Sequence, residues 1–237
     1  MSVERRVLVT GVGRRIGIGA AVADALRADG WDVVTCGFRP YDQRMAWGAD
    51  TEPLAMIEAD FAHPDEPSRV ITEAAAAGPL HALALCHCES VDSSIHDTTV
   101  GSWDRHFAVN VRSSWLLIRD FAAQFPGPSG AGRIVAFTSD HTAHNLPYGA
   151  SKGALDRLVI AAATELAPRG ITANVINPGA TDSGWMDEAI RVAVHDRNLQ
   201  PRVGLPVDSA NLVRFLLSEA GGWINAQLLY SDGGLRR

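Results

Sequence analysis

Short apolar runs rich in β-branched residues alternate with longer stretches in which apolar residues repeat at helical spacing. The short runs predict seven strands, at residues 6–10, 32–37, 54–58, 82–86, 133–138, 172–176 and 227–231. The longer stretches predict five main helices, at residues 16–29, 67–77, 102–125, 147–167 and 207–220. Continuously apolar strands separated by helices indicate a parallel sheet covered on both faces. The pattern therefore predicts an α/β, doubly wound (Rossmann) fold of about seven parallel strands, in a single domain over residues 1–237.

Composition narrows the classes of partner. The 237 residues carry a formal net charge of -6 and contain no run of basic residues, which argues against nucleic acid or a membrane surface as a partner. The N-terminal residues have no long apolar stretch, so we predict neither a signal peptide nor a membrane span, and hence a cytoplasmic protein. Cys36, Cys86 and Cys88 form no framework of spaced pairs and are predicted to be reduced thiols.

The first predicted strand leads directly into a glycine-rich segment, residues 10–19, and then into an alanine-rich helix. Glycine lets the backbone turn tightly, and free amides at a helix N-terminus attract phosphate groups. The order strand, glycine loop, helix therefore predicts that Gly11, Gly17 and Ile18 bind the diphosphate of a nucleotide.

Three arginines bear on which nucleotide binds: Arg14 and Arg15 in the glycine loop, and Arg39 just after the second predicted strand. An acid at the end of that strand would bond the ribose diol of NAD, but Gly37-Phe38-Arg39 contains none, and a guanidinium suits a 2′-phosphate. This favours NADP over NAD. The alternatives are that the arginines are solvated surface charges, or that Asp42 reaches the ribose.

The only lysine in the chain, Lys152, lies four positions after Tyr148, one of three tyrosines. Residues four apart share a helix face, so the ammonium and the phenol can converge. Tyrosine titrates near pH ~10 and would need a shift of about 3 units, or roughly 4 kcal/mol, to exchange protons near neutrality. A positive charge about 5 Å away supplies roughly 3 kcal/mol of this. The pair therefore predicts a tyrosine with a lowered pKa, although a solvated lysine is the alternative for such a pair taken alone.

With these motifs in hand, the chain resembles the short-chain dehydrogenase/reductase family, especially its bacterial 3-oxoacyl-carrier-protein-reductase-like members. The likeness extends over nearly the whole length. Beyond the glycine loop and Tyr148 to Lys152, it includes Asp60-Phe61, Phe107-Ala108-Val109-Asn110-Val111, Thr138-Ser139, Asn177-Pro178-Gly179, Arg202-Val203-Gly204-Leu205-Pro206-Val207-Asp208 and Asp232-Gly233-Gly234.

The resemblance implies a catalytic set. Tyr148 would transfer the proton, and Lys152 would lower its pKa and hold the nicotinamide ribose. Ser139 would hydrogen-bond the substrate oxygen, and Asn110 would hold a water that links Lys152 to solvent. A carbonyl that is being reduced builds negative charge on oxygen, which needs donors already aimed at it.

The resemblance also implies how the cofactor lies. Asp60 would lie beside the adenine amine, and the turn from Pro178 to Ser183 beside the nicotinamide carboxamide. The remaining residues of the implied cofactor site are Phe61, Cys86, His87, Gly179 and Thr181. Residues 182–201 would form a lid over a small carbonyl or alcohol substrate, and the protein would assemble as a homodimer or homotetramer.

Three segments depart from the family's pattern. Five residues separate Gly11 from Gly17, more than is usual; enoyl-carrier-protein reductases share this gap but space tyrosine and lysine more widely. Leu85-Cys86-His87-Cys88 replaces Asn-Asn-Ala-Gly, so the asparagines that tie neighbouring strands together are missing. Only eight residues separate Ser139 from Tyr148, which shortens one wall of the substrate pocket.

The segment Cys86-His87-Cys88-Glu89 also permits a metal site, because thiolate, imidazole and carboxylate are all metal ligands. Side chains alternate along a strand, so Cys86 and Cys88 should point together and His87 away, and the sequence offers no second pair of ligands. We therefore predict buried thiols and no metal.

The sequence thus predicts an NADP-dependent oxidoreductase that interconverts a ketone and a secondary alcohol, with Tyr148 as the acid and base. One alternative is a catalytically silent NADP-binding sensor or scaffold, which the altered fourth-strand motif favours. The other is an enoyl-thioester reductase, which the wider glycine spacing favours.

Overall fold

The computed structural model describes residues 5–127 and 131–235, and within these ranges seven strands form one sheet in the order β3-β2-β1-β4-β5-β6-β7. All neighbouring strands are parallel. The strands are β1 (Arg6–Thr10), β2 (Asp32–Gly37), β3 (Ile57–Glu58), β4 (Ala82–Leu85), β5 (Gly132–Phe137), β6 (Ile171–Asn177) and β7 (Leu228–Tyr230). The predicted doubly wound α/β fold is confirmed. The two ends of the predicted 1–237 domain lie outside the described residues.

The helices follow the predicted alternation with strands. They are α1 (Ile18–Ala28), α2 (Arg39–Arg44), α3 (Glu66–Ala74), α4 (Val100–Phe107), α5 (Ser113–Gln124), α6 (Leu146–Glu165), α7 (Glu188–Arg197) and α8 (Pro206–Leu217). A π-helical turn (Ala108–Arg112) joins α4 to α5, so the helix predicted at 102–125 is one continuous rod with a widened turn in its middle.

Two apolar layers cover the two faces of the sheet, and the alternation along β4 shows how. Ala82 and Ala84 point to the face covered by α1 and α8, while Leu83 and Leu85 point to the face covered by α3, α5 and α6. This follows from the two-residue repeat of a strand. Among the described residues, no helix is both long and apolar enough to cross a membrane.

The strand order reverses at β1, which pairs with β2 on one side and with β4 on the other. Chain connections leave in opposite directions at such a point, so a crevice opens beyond the carboxyl ends of the two strands. Thr10 at the end of β1 lies opposite Leu85 at the end of β4. The glycine loop and the segment after β4 therefore meet in this crevice.

Two local predictions were wrong. The strand expected at 54–58 is limited to Ile57–Glu58, because the carbonyls of Leu54 and Ala55 accept hydrogen bonds from the side chains of Arg39 and Thr35. Helix α2 was not predicted. It has six residues, too few for a periodic pattern, although Pro40 in its first turn is a favourable start signal.

Candidate active site

A cavity of about 460 Å³ opens at the carboxyl ends of β1 and β4 and is lined by segments that follow every strand from β1 to β6. It brings together most of the residues predicted for the site: Gly11, Arg14, Gly17, Ile18, Asp60, Phe61, Cys86, His87, Ser139, Tyr148, Pro178, Gly179, Thr181 and Ser183. Arg15, Arg39, Asn110 and Lys152 are also described but do not line this cavity.

The glycine loop is compressed against the end of β4. Gly11 has φ +73°, and a Cβ atom there would lie 2.6 Å from the backbone of Cys86 and His87. A Cβ atom at Gly19 would lie 2.6 Å from the carbonyl oxygen of Gly11. Side chains at these two positions would push α1 away from the crevice. Gly17 precedes α1 without any side-chain cap, so the first amides of the helix stay available for an anionic ligand.

The three arginines predicted near a 2′-phosphate have different surroundings. Arg14 lines the cavity, where its Nε lies 3.1 Å from Asp42 and its Nη2 donates to the carbonyl of Ser183 at 2.9 Å. Arg15 is exposed, and its backbone N–H donates to the side chain of Asp50. Arg39 donates to Glu58 and to a backbone carbonyl. Arg14 is thus the one of the three that faces the crevice.

An ionic network that the sequence did not reveal lies beside Asp60. Arg105 pairs with Asp60 at 3.2 Å and with the buried carboxylate of Glu89 at 3.0 Å. Arg44 on α2 also pairs with Glu89. Asp60 additionally accepts a hydrogen bond from the backbone of Ala62 at 3.0 Å. No local pattern marks Arg105 or Glu89, because their partners lie 16 to 45 positions away.

Tyr148 and Lys152 converge as the helical spacing predicted, and Ser139, which the resemblance implied, lies beside Tyr148. Tyr148 lies in the first turn of α6, lines the cavity and hydrogen-bonds the side chain of Ser139. Lys152 lies one turn further, is 2% exposed, and its ammonium lies 5.6 Å from the centre of the Tyr148 ring. That ammonium donates to the carbonyl of Phe137, at the end of β5, at 2.7 Å.

The direction of the Tyr148 pKa differs from the expectation. Burial raises the pKa of the phenol above its ordinary value, the nearby Cys88 adds to this effect, and the hydrogen bond with Ser139 opposes it. Burial shifts the pKa of Lys152 in the opposite direction, downward, because it disfavours the charged ammonium. The Tyr148 pKa is therefore raised in this structure, where a lowering by Lys152 was expected, because removing a phenolate from water costs more than the hydrogen bond with Ser139 returns.

Asn110 lies in the π-helical turn and is 1% exposed. Its Oδ1 accepts from the backbone N–H of Glu89 at 2.7 Å, and its Nδ2 donates to the carbonyl of Glu89 and to the hydroxyl of Ser151. Asn110 thus ties the segment after β4 to α6, next to Lys152. The water expected at Asn110 stays a prediction.

His87 lies in the segment after β4 where the family's asparagines are replaced, and its ring links this segment to β1 and to α5. Its Nδ1 lies 2.7 Å from the hydroxyl of Thr10 on β1, and its Nε2 lies 3.0 Å from the hydroxyl of Ser113 on α5. Its ring also packs edge-on against Phe61, 4.7 Å between centres. Burial lowers the pKa of His87 to about 3, so the imidazole is neutral. Both ring nitrogens are engaged in this network.

The two neighbouring cysteines are less buried than predicted. Cys86 and Cys88 are free thiols that are partly exposed and line the cavity, whereas the free thiol of Cys36 is buried. Among the described residues, no group of three or more His, Cys, Asp or Glu side chains is arranged to hold a metal ion.

The turn after β6 closes the other side of the cavity. Gly179 has φ +61°, and a Cβ atom there would overlap with Asp232, so the turn packs tightly against the segment after β7. The hydroxyl of Thr181 donates to the carbonyl of Pro178 at 3.1 Å. Ser183 accepts from Arg14 through its carbonyl, which links this turn to the glycine loop.

Comparisons with known proteins agree with this arrangement. A family model described as "Enoyl-(Acyl carrier protein) reductase" matches residues 11–236. The chain is 31% identical to an uncharacterized oxidoreductase, YjdA, of Bacillus subtilis, over 100% of this chain and 98% of the relative. It is 30% identical to the versicolorin reductase stcU of Emericella nidulans, over 97% of this chain and 95% of the relative.

A solved structure supports the same assignment. A short-chain dehydrogenase of Burkholderia cenocepacia, crystallised in complex with NADP, superposes with a TM-score of 0.84 at 32% identity and covers 97% of each chain. Full-length similarity in sequence and in fold thus accompanies the convergence of the predicted motifs on one crevice. The chain belongs to the short-chain dehydrogenase/reductase family of oxidoreductases.

Proposed function

We propose that this protein is an NADP-dependent oxidoreductase that interconverts a ketone and a secondary alcohol. The observation that carries the proposal is the contact between the hydroxyls of Ser139 and Tyr148 at the cavity wall, with the ammonium of Lys152 buried close behind them. Two adjacent hydroxyls can donate to one substrate oxygen, and such groups are what a carbonyl under reduction requires.

The residues present fit a dinucleotide. The uncapped N-terminus of α1 with Gly11, Gly17 and Ile18 would hold the diphosphate. The adenine end would lie near Asp60 and Phe61, and the nicotinamide end would lie near the turn after β6, with Tyr148 and Lys152 at its ribose. The remaining residues proposed for this site are Arg14, Arg15, Arg39, Cys86, His87, Pro178, Gly179, Thr181 and Ser183. NADP is favoured over NAD because Arg14 faces the crevice and because a relative was crystallised with NADP.

When bound, the reduced cofactor supplies the hydride that a carbonyl carbon accepts. Ser139 donates a hydrogen bond to the carbonyl oxygen. Tyr148 donates its proton to the same oxygen, and its raised pKa keeps the phenol protonated and ready to donate at neutral pH. Lys152 places positive charge behind the phenol and favours the phenolate that remains. Asn110 fixes the segment after β4 and the helix that carries Lys152.

Enoyl-thioester reduction is the second candidate, favoured by the description of the matching family model and by the wide spacing of Gly11 and Gly17. The third is a silent NADP-binding sensor or scaffold. NADPH absorbance, followed with a panel of ketones, β-ketoacyl thioesters and enoyl thioesters, separates the three. Turnover of ketones that is lost in Tyr148→Phe supports the proposal, whereas turnover of enoyl thioesters alone, or tight binding without any turnover, contradicts it.

Three further expectations continue as proposals. We propose a single domain over residues 1–237, with residues 182–201 as the lid; α7 lies within this segment, and the half-exposed Trp185 at its start lines the cavity. We propose a cytoplasmic location.

We also propose that the protein is a homodimer or homotetramer, because Trp115 and Tyr230 expose about half of their surface and could be covered by a second copy of the chain. Light scattering of the purified protein tests the oligomeric state.

A further inference from the structure

Asn145, the residue that precedes α6, places a buried polar side chain in the wall of the cavity. It lines the cavity together with Ser139 and Tyr148 and is 3% exposed. Asn145 and Tyr148 are three positions apart at the start of the helix, so their side chains lie close to the same face, with about 5–6 Å between Cβ atoms. Asn145 therefore lies beside the two hydroxyls that would hold the carbonyl oxygen of a substrate.

The side chain of Asn145 does not cap the helix that it precedes. Asparagine at this position usually accepts, through Oδ1, a hydrogen bond from a backbone N–H of the first turn. Asn145 makes no such bond, and its Nδ2 instead donates to the hydroxyl of Ser90 at 3.0 Å. Ser90 also lines the cavity, and its carbonyl accepts from the hydroxyl of Tyr41 at 3.2 Å. The amide is thus turned toward the segment after β4 and is held there.

The amide oxygen of Asn145 is left without a partner. Its Oδ1 is buried and accepts no hydrogen bond from any described residue. The backbone groups of Asn145 are paired, because its N–H donates to the carbonyl of Thr142 and its carbonyl accepts from the N–H of Gly149. Of the described residues with a buried, unpaired side-chain oxygen or nitrogen, Asn145 is the one that lines the cavity. A donor on a bound molecule would relieve the cost of burying this acceptor.

Other polar residues line the cavity in the two segments that Asn145 and Ser90 belong to. Asp92 follows Ser90 after β4, and His141 lies between Ser139 and Tyr148; both are exposed and both line the cavity. The backbone N–H of His141 donates to the hydroxyl of Ser139 at 3.1 Å. These two segments therefore offer a polar wall to the substrate.

We propose that Asn145 is a specificity-determining residue that selects hydroxyketones: the substrate hydroxyl donates to its Oδ1 while the carbonyl oxygen accepts from Ser139 and Tyr148. The inference rests on the proposed function, because it needs a carbonyl substrate in this cavity. The hydroxyl only binds. The hydride of the reduced cofactor adds to the carbonyl carbon and the Tyr148 proton adds to the carbonyl oxygen, which gives a diol and the oxidised cofactor. A site built around such a hydrogen bond rejects the analogue that lacks the donor.

The test compares kcat/KM, from NADPH absorbance, for two hydroxyketones and their methyl ethers. The hydroxyketones are α-hydroxyacetophenone and β-hydroxypropiophenone, which place the hydroxyl at two distances from the carbonyl. A methyl ether keeps the oxygen atom but cannot donate. We expect the better hydroxyketone to exceed its own ether by at least about 5-fold in the wild type. Smaller ratios for both pairs would overturn the inference.

Asn145→Leu shows whether Asn145 carries the preference, because leucine has a similar size and no acceptor. The ratio of hydroxyketone to ether should fall to about 1, mainly through slower turnover of the hydroxyketone. A merely structural role would slow both compounds alike, and the unchanged ratio would overturn the inference. Asn145→Asp keeps an acceptor, to which the Ser90 hydroxyl can donate, and should retain most of the preference. Loss of the preference in Asn145→Asp as well would assign it to the amide N–H and overturn the role of Oδ1.

The controls separate this inference from the proposed function. Asn211→Leu makes the same change on α8, away from the cavity, and should leave both rates and their ratio unchanged. Thermal unfolding shows whether each variant is folded, and Asn145→Ala replaces Asn145→Leu if that variant fails to fold. Wild-type protein that reduces no ketone with NADPH would contradict the proposed function and the inference together. Wild-type protein that reduces ketones but prefers neither hydroxyketone would contradict the inference alone.

Discussion

The ammonium of Lys152 donates a hydrogen bond to the carbonyl oxygen of Phe137, 2.7 Å away, where β5 ends and the segment that carries Ser139 begins. The contact joins the helix that carries Tyr148 to the strand that leads to Ser139. It holds the two hydroxyls of the proposed site at a fixed relative position. Lysine at position 152 therefore supplies both a charge and a link between two elements.

Lys152→Met should separate these two contributions. Methionine has a similar length and removes a charge that is 98% buried, so the free energy of unfolding should change by less than about 2 kcal/mol even though the Phe137 carbonyl loses its donor. Ketone reduction should fall by about 100-fold or more. Urea unfolding measures the change in stability, and NADPH absorbance measures the loss of ketone reduction. Near-normal turnover in a folded variant would contradict the role of the ammonium.

The raised pKa of Tyr148 predicts a particular pH profile. Because burial keeps the phenol protonated, the step in which it donates a proton should keep its rate from about pH 6 to about pH 9. Alcohol oxidation needs the phenolate and should become faster over the same range. Initial rates in both directions check this. A reduction rate that falls with an apparent pKa near neutrality would show that a lowered phenol pKa is correct after all.

His87 predicts a loss of stability in mild acid. Burial lowers its pKa in the folded protein to about 3, whereas an unfolded histidine titrates near pH ~6.5. The unfolded chain therefore binds the extra proton between these values, and the stability that neutral His87 contributes is complete above about pH 6.5 and is lost as pH falls toward 3. At about pH 5 the loss should reach roughly 2 kcal/mol.

His87→Asn isolates this contribution. The variant lacks the titrating ring but keeps the other histidines whose pKa values burial lowers, His81 and His106. Its unfolding free energy should be lower at neutral pH by about 1–3 kcal/mol, since Thr10 and Ser113 lose well-placed partners. Between about pH 7 and about pH 5 it should then fall less than that of the wild type. Parallel curves from urea unfolding at both pH values would show that His87 does not carry the effect.

Comparing Gly11 with Gly48 separates the cost of backbone strain from the cost of crowding at the glycine loop. Both have positive φ, +73° and +70°, but a Cβ atom at Gly11 would lie 2.6 Å from the Cys86 backbone, whereas one at Gly48 would meet nothing within 4 Å. Gly48→Ala should cost about 1–2 kcal/mol from backbone strain alone. Gly11→Ala should cost at least about 1 kcal/mol more, because the loop must also move away from β4. Equal losses in chemical unfolding would show that the close approach to β4 contributes nothing.

Asn110 should be a large contributor to stability for a single polar side chain. Asn110→Ala leaves the buried backbone N–H and carbonyl of Glu89 without their partners, which should cost about 2–4 kcal/mol. Ser114→Ala, one helical turn away, removes a hydroxyl that donates to the carbonyl of Asn110 and lies 3.4 Å from Nε2 of His87, and it should cost about 1 kcal/mol or less. Similar losses in the two variants, measured by urea unfolding, would contradict the bridging role.

Local pattern was sufficient for most of the fold and for the centre of the site. The alternation of apolar runs with helical stretches predicted all seven strands, because strand and helix periodicity are properties of neighbouring residues. The spacing of Tyr148 and Lys152 predicted their convergence on one helix face for the same reason. The short helix α2 and the limits of β3 were not predictable in this way. Both depend on a few residues whose hydrogen bonds reach across to other elements.

The sequence alone was sufficient to predict the glycine loop and the tyrosine–lysine pair, since each is a short motif at a characteristic spacing. The order of these and the other motifs along the chain was sufficient to predict the family. The tertiary structure decided the direction of the Tyr148 pKa, the pairing of Arg14 with Asp42 and the tie made by His87. These depend on burial and on contacts such as those of Arg14 with Asp42 and of His87 with Thr10 and Ser113, which join residues 26 or more positions apart in the chain. Desolvation and ion pairing are set by what surrounds a group in space, and residue spacing along a chain does not carry that information.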